Sequence, residues 1–252
     1  GNASVAVARL GANSTIFSAV GCDEVGSFIL GELKRENVNT EFVLELENWQ
    51  SSFSSVLVDI DGDRQIVNYR KSLPENAINS ISNFPVYDAY LSDSRWSEAA
   101  IATLSLARKY KKPGILDAEA PVSQHAVEIA SHVAFSMQGL RHFTNKDDLM
   151  ASLKVIENDF NSWACVTDGP NGVYFLQEGV LHNLPAPRIK AEDTLGAGDV
   201  WHGAFAVCLA EGKSEREAIK FSNLAAAIKC TRFGGQSSIP TRREINEFTN
   251  SK

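Results

Sequence analysis

From about residue 86 onward, short apolar runs alternate with amphipathic stretches, and that rhythm restricts the possible folds more than any other feature. Tyr87–Ser92 reads as a strand, Ser97–Tyr110 as a helix and Gly114–Leu116 as a strand. A helix at Val122–Ser131, a short strand at Val133–Phe135 and a helix at Lys146–Asn158 follow. Strands come next at Trp163–Thr167, Gly172–Leu176 and Val180–Leu184, with closing helices at about 198–211, 214–230 and 241–249. Parallel strands joined by helical crossovers bury both faces of their sheet. The alternation therefore predicts an α/β fold of three layers, a mostly parallel sheet between two layers of helices. Ligands of such sheets collect at the carboxyl ends of the strands. Asp93-Ser94-Arg95, Asp117-Ala118-Glu119 and Thr167-Asp168-Gly169 fall there.

The earlier part of the chain has a different pattern. Residues 2–10 read as a small-residue helix ended by Gly11, and Thr15–Val20 as a strand. Glu24–Glu36 reads as an amphipathic helix with Phe28, Ile29 and Leu33 facing inward. Ser52–Ile60 and Gln65–Tyr69 are β-like runs joined around Asp61-Gly62-Asp63, a hairpin signal. A lone hairpin is marginal in water, so it must pack on the domain, on another chain, or close over a ligand. No repeat or linker divides the sequence. Residues 1–252 are expected to form one domain, with the hairpin at about 52–69 as a small β lid.

Composition narrows the partners. A net charge of −7 without a basic block argues against nucleic acid or an anionic membrane. No apolar run approaches the ~20 residues that span a bilayer, and no secretory signal is present. Cys22, Cys165, Cys208 and Cys230 are widely spaced in mostly apolar contexts. They read as buried, reduced thiols of a cytoplasmic protein, and the five histidines show no zinc-ligand spacing relative to them.

Residues 193–199, Asp-Thr-Leu-Gly-Ala-Gly-Asp, lead into a helix-compatible stretch. A small-residue turn at a helix N-terminus exposes backbone N–H groups and suits an anion such as phosphate. Asp199 would repel bound phosphate, so it reads as a base that takes a proton from an attacking hydroxyl. The chemistry predicted is phosphoryl transfer from a nucleotide to an alcohol. The bland alternative is a Gly-rich helix cap with Asp199 complementing the dipole.

With these segments in order, the chain resembles the ribokinase-like (PfkB-type) carbohydrate kinases over essentially its whole length. The heptamer is similar to that family's C-terminal signature. Val20-Gly21-Cys22-Asp23-Glu24-Val25-Gly26 resembles its early G-x-V-G-D-D-x-x-G stretch, with Cys22 in place of the first acid. Val166 to Gly172 resembles the T-x-G-x-x-G nucleotide segment, and Lys229 to Gly235 the border of the adenine pocket. The resemblance implies that Asp199 is the catalytic base and that the amides of Gly196, Ala197 and Gly198 form the anion hole. It places Thr167, Gly169 and Gly172 along ATP, and Asn223, Ala226, Ala227 and Cys230 on the adenine side. Asp193 and Ser238 match positions near a monovalent-cation (K⁺) site of the family's ribokinase branch. Asn2 aligns with a substrate-binding Asn that follows a Gly-Gly pair, so further N-terminal sequence with a first strand and part of the lid is expected. ATP and Mg²⁺ are the implied cofactors, and a homodimer paired through its lids the implied assembly. One departure concerns the family's N-x-x-E motif, which here is Ser136-Met137-Gln138-Gly139. Mg²⁺ is then held mainly by ATP phosphates and water, as that ion readily accepts, or turnover is impaired.

Within the family, Asn68-Tyr69, Ser92 to Trp96, Leu116-Asp117 and Gly198 to Gly203 resemble the sulfofructose kinases. That likeness implies phosphorylation at O1 of 6-deoxy-6-sulfofructose, with Asn68 and Arg95 holding the sulfonate. Arg suits such a group because its guanidinium is a fixed cationic fork. The alternatives are another sugar kinase of the family (fructokinase, ribokinase or sugar-phosphate kinase), a nucleoside kinase, or more distantly a non-catalytic sugar-binding regulator. Plainer roles compete at several positions. Arg95 could pair with Asp93 at the surface, Asn68 could satisfy lid backbone, and His202 reads as a packed or hydrogen-bonded histidine. Trp49, Trp96, Trp163 and Trp201 read as packing residues, and Asp117 and Glu119 as binders of sugar hydroxyls or water.

Overall fold

The computed structural model describes residues 1–58, 64–71, 73, 78, 81, 84–160 and 162–250. The chain opens with α1 (Asn2–Arg9), β1 (Ser14–Gly21), α2 (Glu24–Arg35) and β2 (Val38–Leu46), and β1 and β2 pair in parallel. The strand β2 has no counterpart in the sequence reading. In α2 the inward stripe is Gly26, Leu30 and Leu33, spaced by four and three residues as one helix face requires. Phe28 lies off that stripe and is 65% exposed, which corrects its expected inward position. The hairpin forms from β3 (Phe53–Val58) and antiparallel β4 (Arg64–Tyr69). Its expected turn, Asp61-Gly62-Asp63, lies outside the described residues.

The α/β alternation then unfolds largely as expected, through β5 (Tyr90–Asp93), α3 (Ser97–Tyr110), β6 (Gly114–Ala118), α4 (Gln124–Ile129) and β7 (His132–Ser136). The strand expected from Tyr87 starts at Tyr90 because its neighbour supplies no earlier partner: Tyr90 pairs with Gly114, the first residue of β6. Before the helix expected at 146–158 the chain forms α5 (Met137–Thr144), which has no counterpart in the sequence reading, and the expected helix itself is α6 (Leu149–Phe160). Asn145 ends the first in a left-handed conformation at φ 52°, and Asp148 begins the second by accepting from the Ala151 amide at 2.6 Å. Next come β8 (Trp163–Thr167), β9 (Val173–Gln177), β10 (Val180–Leu184), α7 (Ala197–Ala210), α8 (Glu215–Cys230) and α9 (Arg242–Asn250).

The six-stranded sheet has the order β10-β9-β8-β7-β6-β5. Its β5 to β8 are parallel, and β9 and β10 add antiparallel strands at one edge. Side-chain alternation divides the core. Leu116, Val133, Phe135, Ala164 and Val166 face Leu104, Ala126, Leu140 and Leu153 of α3 to α6. Their neighbours Ile115, Ala134 and Cys165 face Trp201, Phe205, Cys208 and Ile219 of α7 and α8. The fold is thus a three-layer α/β/α arrangement. Three cysteines are buried; Cys22 is exposed at the end of β1, which corrects the expectation that all four are covered. Burial pushes the Cys165 thiol well above its usual range and Cys208 to about 11.

Candidate active site

Asp199 stands in the first turn of α7, a helix buried from Val200 to Leu209. Such a helix is apolar all round because it is sandwiched. Trp201 and Phe205 stack at 4.9 Å against the sheet, while Val200, Ala204 and Val207 pack with Val5 and Ala6 of α1. A rigid helix gives its first-turn carboxylate a fixed position. Gly196 caps it at φ 77°, a left-handed conformation that L side chains adopt at a cost. Of the three amides expected to hold an anion, that of Ala197 is spent on the Thr194 carbonyl at 3.2 Å. Those of Gly196 and Gly198 have no partner among the described residues.

The site's second half arrives through α1. Asn2 Nδ2 donates to Asp199 Oδ2 at 2.8 Å, and Gln236 Nε2 reaches Asn2 Oδ1 at 3.4 Å. The approach of α1 depends on Gly203, where a Cβ would lie 2.6 Å from the Ala3 carbonyl oxygen. A pair separated by most of the chain thus meets at the amide turn.

The strand ends supply a charged rim. Ser94 Oγ donates to the Glu119 carbonyl at 2.6 Å, tying the ends of β5 and β6 together. The Arg95 amide donates to Asp93 Oδ1 at 2.8 Å, and its guanidinium pairs with Glu119 at 3.0 Å, both side chains about half exposed. His202 lies below this rim, buried, with Nε2 3.1 Å from Asp117 Oδ1. Burial opposes its protonation, but Asp117, with Asp199 and Glu119 behind it, outweighs that and raises its pKa. A raised folded-state pKa stabilises the fold fully below the unfolded value of about 6.5, and this is lost as pH rises through the folded value. A His202→Gln variant should therefore lose most melting temperature near pH 6. The deficit should shrink in alkaline buffer, and a pH-independent deficit would refute the pairing.

Asn68 sits on β4 opposite Ser54, whose hydroxyl donates to its Oδ1 at 2.5 Å. Its described side-chain bond lies within the lid rather than at Arg95 or Asp199. The lid base is held by Asp23, which caps α2 through the Gly26 amide at 2.7 Å. The same carboxylate takes the Ser51 amide at 2.8 Å and hydroxyl at 2.7 Å, and these bonds, led by the Ser51 amide, hold its pKa below the usual carboxylate range. Trp96 stacks on Phe17 at 5.2 Å, as a packing residue does.

On the nucleotide side, Thr167 ends β8 with its hydroxyl 3.3 Å from the Phe135 carbonyl, and Gly169 opens a short 3-10 turn. Gly172 at φ 89° passes so close to Leu184 that a Cβ would lie 2.1 Å from its carbonyl oxygen. Asn223, expected beside adenine, is buried and accepts from Trp201 Nε1 at 2.8 Å while donating to the Leu184 carbonyl at 2.9 Å. Its amide couples α8, α7 and β10. Ala227 and Cys230 are buried on α8, and Ala226 is partly open. The segment read as the adenine-pocket border contains Phe233, an 87% exposed ring between α8 and Gly234 that the sequence reading did not single out. A large apolar residue before a glycine pair was the available signal.

The metal positions differ from the family pattern. Ser136 caps α5 through the Gly139 amide at 2.9 Å. A Cβ at Gly139 would lie 2.1 Å from the Ala118 carbonyl oxygen, so no glutamate fits there without moving β6. No cluster of three or more His, Cys, Asp or Glu side chains suited to a metal occurs among the described residues. This donor set fits Mg²⁺ carried by nucleotide phosphates and water. At the expected K⁺ site, Asp193 Oδ1 accepts from the Leu195 amide at 2.9 Å and Oδ2 faces the buried Lys229 ammonium at 3.2 Å. Ser238 donates to the Gly235 carbonyl at 2.8 Å. A cation placed 4 Å from that ammonium would meet repulsion on the order of 4 kcal/mol. These residues do not fit a K⁺ ion.

Known proteins match the chain over nearly its whole length. The description "pfkB family carbohydrate kinase" matches residues 1–242. The ribokinase of Bacillus subtilis (strain 168) is 27% identical, over 98% of this chain and 85% of that protein. A crystal structure from Agrobacterium tumefaciens superposes with a TM-score of 0.89 at 33% identity, covering 99% and 84% of the two chains. Arabidopsis thaliana ribokinase complexed with ribose and ATP superposes with a TM-score of 0.82 at 20% identity, covering 98% and 85%.

Proposed function

Given that the chain belongs to the pfkB family and is an ATP-dependent carbohydrate kinase, we propose that Asp199 is its base and that its acceptor is a ketohexose bearing a terminal anion. The observation that carries the mechanism is the 2.8 Å bond from Asn2 to Asp199 at the mouth of the glycine turn. A sugar hydroxyl held there passes its proton to Asp199 while its oxygen attacks the γ-phosphorus in line. The bond to the leaving ADP oxygen breaks as the new one forms. The open amides of Gly196 and Gly198 face the developing charge on the equatorial oxygens. Mg²⁺ carried by ATP would neutralise part of the phosphate charge when bound. Thr167, Gly169 and Gly172 line the phosphates, with Ala226, Ala227, Cys230 and the exposed Phe233 ring on the adenine side.

The best match for the acceptor is 6-deoxy-6-sulfofructose, phosphorylated at O1, with Arg95 at the sheet's carboxyl end and Asn68 from the lid on the sulfonate. A second reading, a neutral pentose or ketohexose, is favoured by the Arg95–Glu119 ion pair, which already balances the guanidinium. Ribokinase and fructokinase relatives point the same way. A panel of sulfofructose, fructose 6-phosphate, fructose, ribose and a nucleoside with ATP decides between them. The sulfonate should give the highest kcat/KM. Arg95→Ala should raise its KM by about tenfold or more, the loss of one charge-assisted bond of ~1.5 kcal/mol. Equal turnover of a neutral sugar would reject the anionic acceptor.

The same proposal includes a cytoplasmic homodimer. Phe53, Leu57, Ile66, Val67 and Tyr69 are exposed on the lid, and pairing two lids would cover them and their open strand edges. A monomeric mass by light scattering at micromolar concentration would dismiss it.

A further inference from the structure

Lys229 is 1% exposed, near the C-terminus of α8, and its ammonium is aimed at the start of the catalytic loop. It donates to the Asp193 carbonyl at 3.0 Å and to the Asp193 carboxylate at 3.2 Å. Next to it, the Cys230 carbonyl accepts from the amides of Glu192 at 2.8 Å and Asp193 at 3.2 Å. The other carboxylate oxygen of Asp193 accepts from the Leu195 amide at 2.9 Å, one residue before the Gly196 turn. The end of α8 therefore grips the loop that leads through Gly196 to Asp199. The negative end of a helix favours a cation at this place. A buried lysine is costly unless paired, and here the pairing coincides with the position where the family pattern calls for K⁺.

We propose that the Lys229 ammonium is a resident cation that orders the Asp193–Gly196 loop in place of a dissolved monovalent ion, so that this kinase works without K⁺. Lys229 is a positioning residue, acting on the transferring phosphoryl through the loop amides. The inference rests on the kinase reading, but loop order can be read without turnover.

The test compares the protein in KCl, NaCl and tetramethylammonium chloride at equal ionic strength. Without ATP or sugar, the melting temperature should be the same in all three salts. With ATP and the best sugar of the panel, kcat should differ by less than threefold. Saturable stabilisation by K⁺, or activation beyond threefold, would overturn the proposal. In Lys229→Met, hydrogen exchange over residues 190–198 should rise and kcat should fall at least thirtyfold while the sugar KM stays within threefold. A folded Lys229→Met with kcat and exchange unchanged would also overturn it. If that variant does not fold, the salt comparison on the unmodified protein still decides. If no sugar in the panel is phosphorylated, the acceptor assignment fails, while melting and exchange continue to test Lys229.

Discussion

Replacing Asp199 by Asn should lower kcat by about 10³-fold, within the range for loss of a general base, or ~4 kcal/mol of barrier. The substitution is nearly isosteric and leaves the helix first turn and its packing in place. Sugar KM and melting temperature should therefore change little. Asp199 is held on a helix buried over ten successive residues, from Val200 to Leu209, and Asn2 approaches it at 2.8 Å. No other carboxylate shares that helix turn. Steady-state kinetics with saturating ATP provide the measurement. A kcat within tenfold of the parent would reject proton transfer to Asp199.

Restoring the family's glutamate at Gly139 should damage the fold rather than improve metal binding. The Cβ alone would sit 2.1 Å from the Ala118 carbonyl oxygen, a backbone atom at the end of β6. Rotamer changes cannot move a Cβ, so β6 or the start of α5 must shift. Overpacking of this kind costs about 1–3 kcal/mol, lowering the melting temperature on the order of 5 °C. Ser136→Asn makes the contrast. Asn caps a helix about as well as Ser, so this variant should melt close to the parent. Thermal denaturation of both, with the Mg²⁺ dependence of turnover, checks the argument. An unshifted melting temperature in Gly139→Glu, together with a lower Mg²⁺ requirement, would show that the Ala118 carbonyl yields.

Strand and helix periodicity were legible where packing obeys one repeat. Ser97–Tyr110 and Trp163–Thr167 appear with the expected boundaries because each has one partner layer per face. The reading failed where a neighbour decides the outcome. Residues 38–46 become a strand by pairing with β1, and Tyr90 becomes the start of β5 because Gly114 is the first residue able to pair with it. Phe28 faces outward because Leu30 and Leu33 already occupy the inward stripe.

The same division holds at the site. Residues 193–199 announced an anion turn and a base from local chemistry alone, since small residues, a helix start and a carboxylate lie within seven positions. Sequence likewise determined the alternating layers, because parallel strands joined by helical crossovers bury both faces of their sheet. Only the tertiary structure showed that the Asn223 amide is consumed by Trp201 and Leu184, that Gly139 exists to clear a carbonyl, and that Asp193 is already paired with Lys229. Each is a contact between residues far apart in the chain. Such contacts follow from how layers pack, and no local pattern carries them.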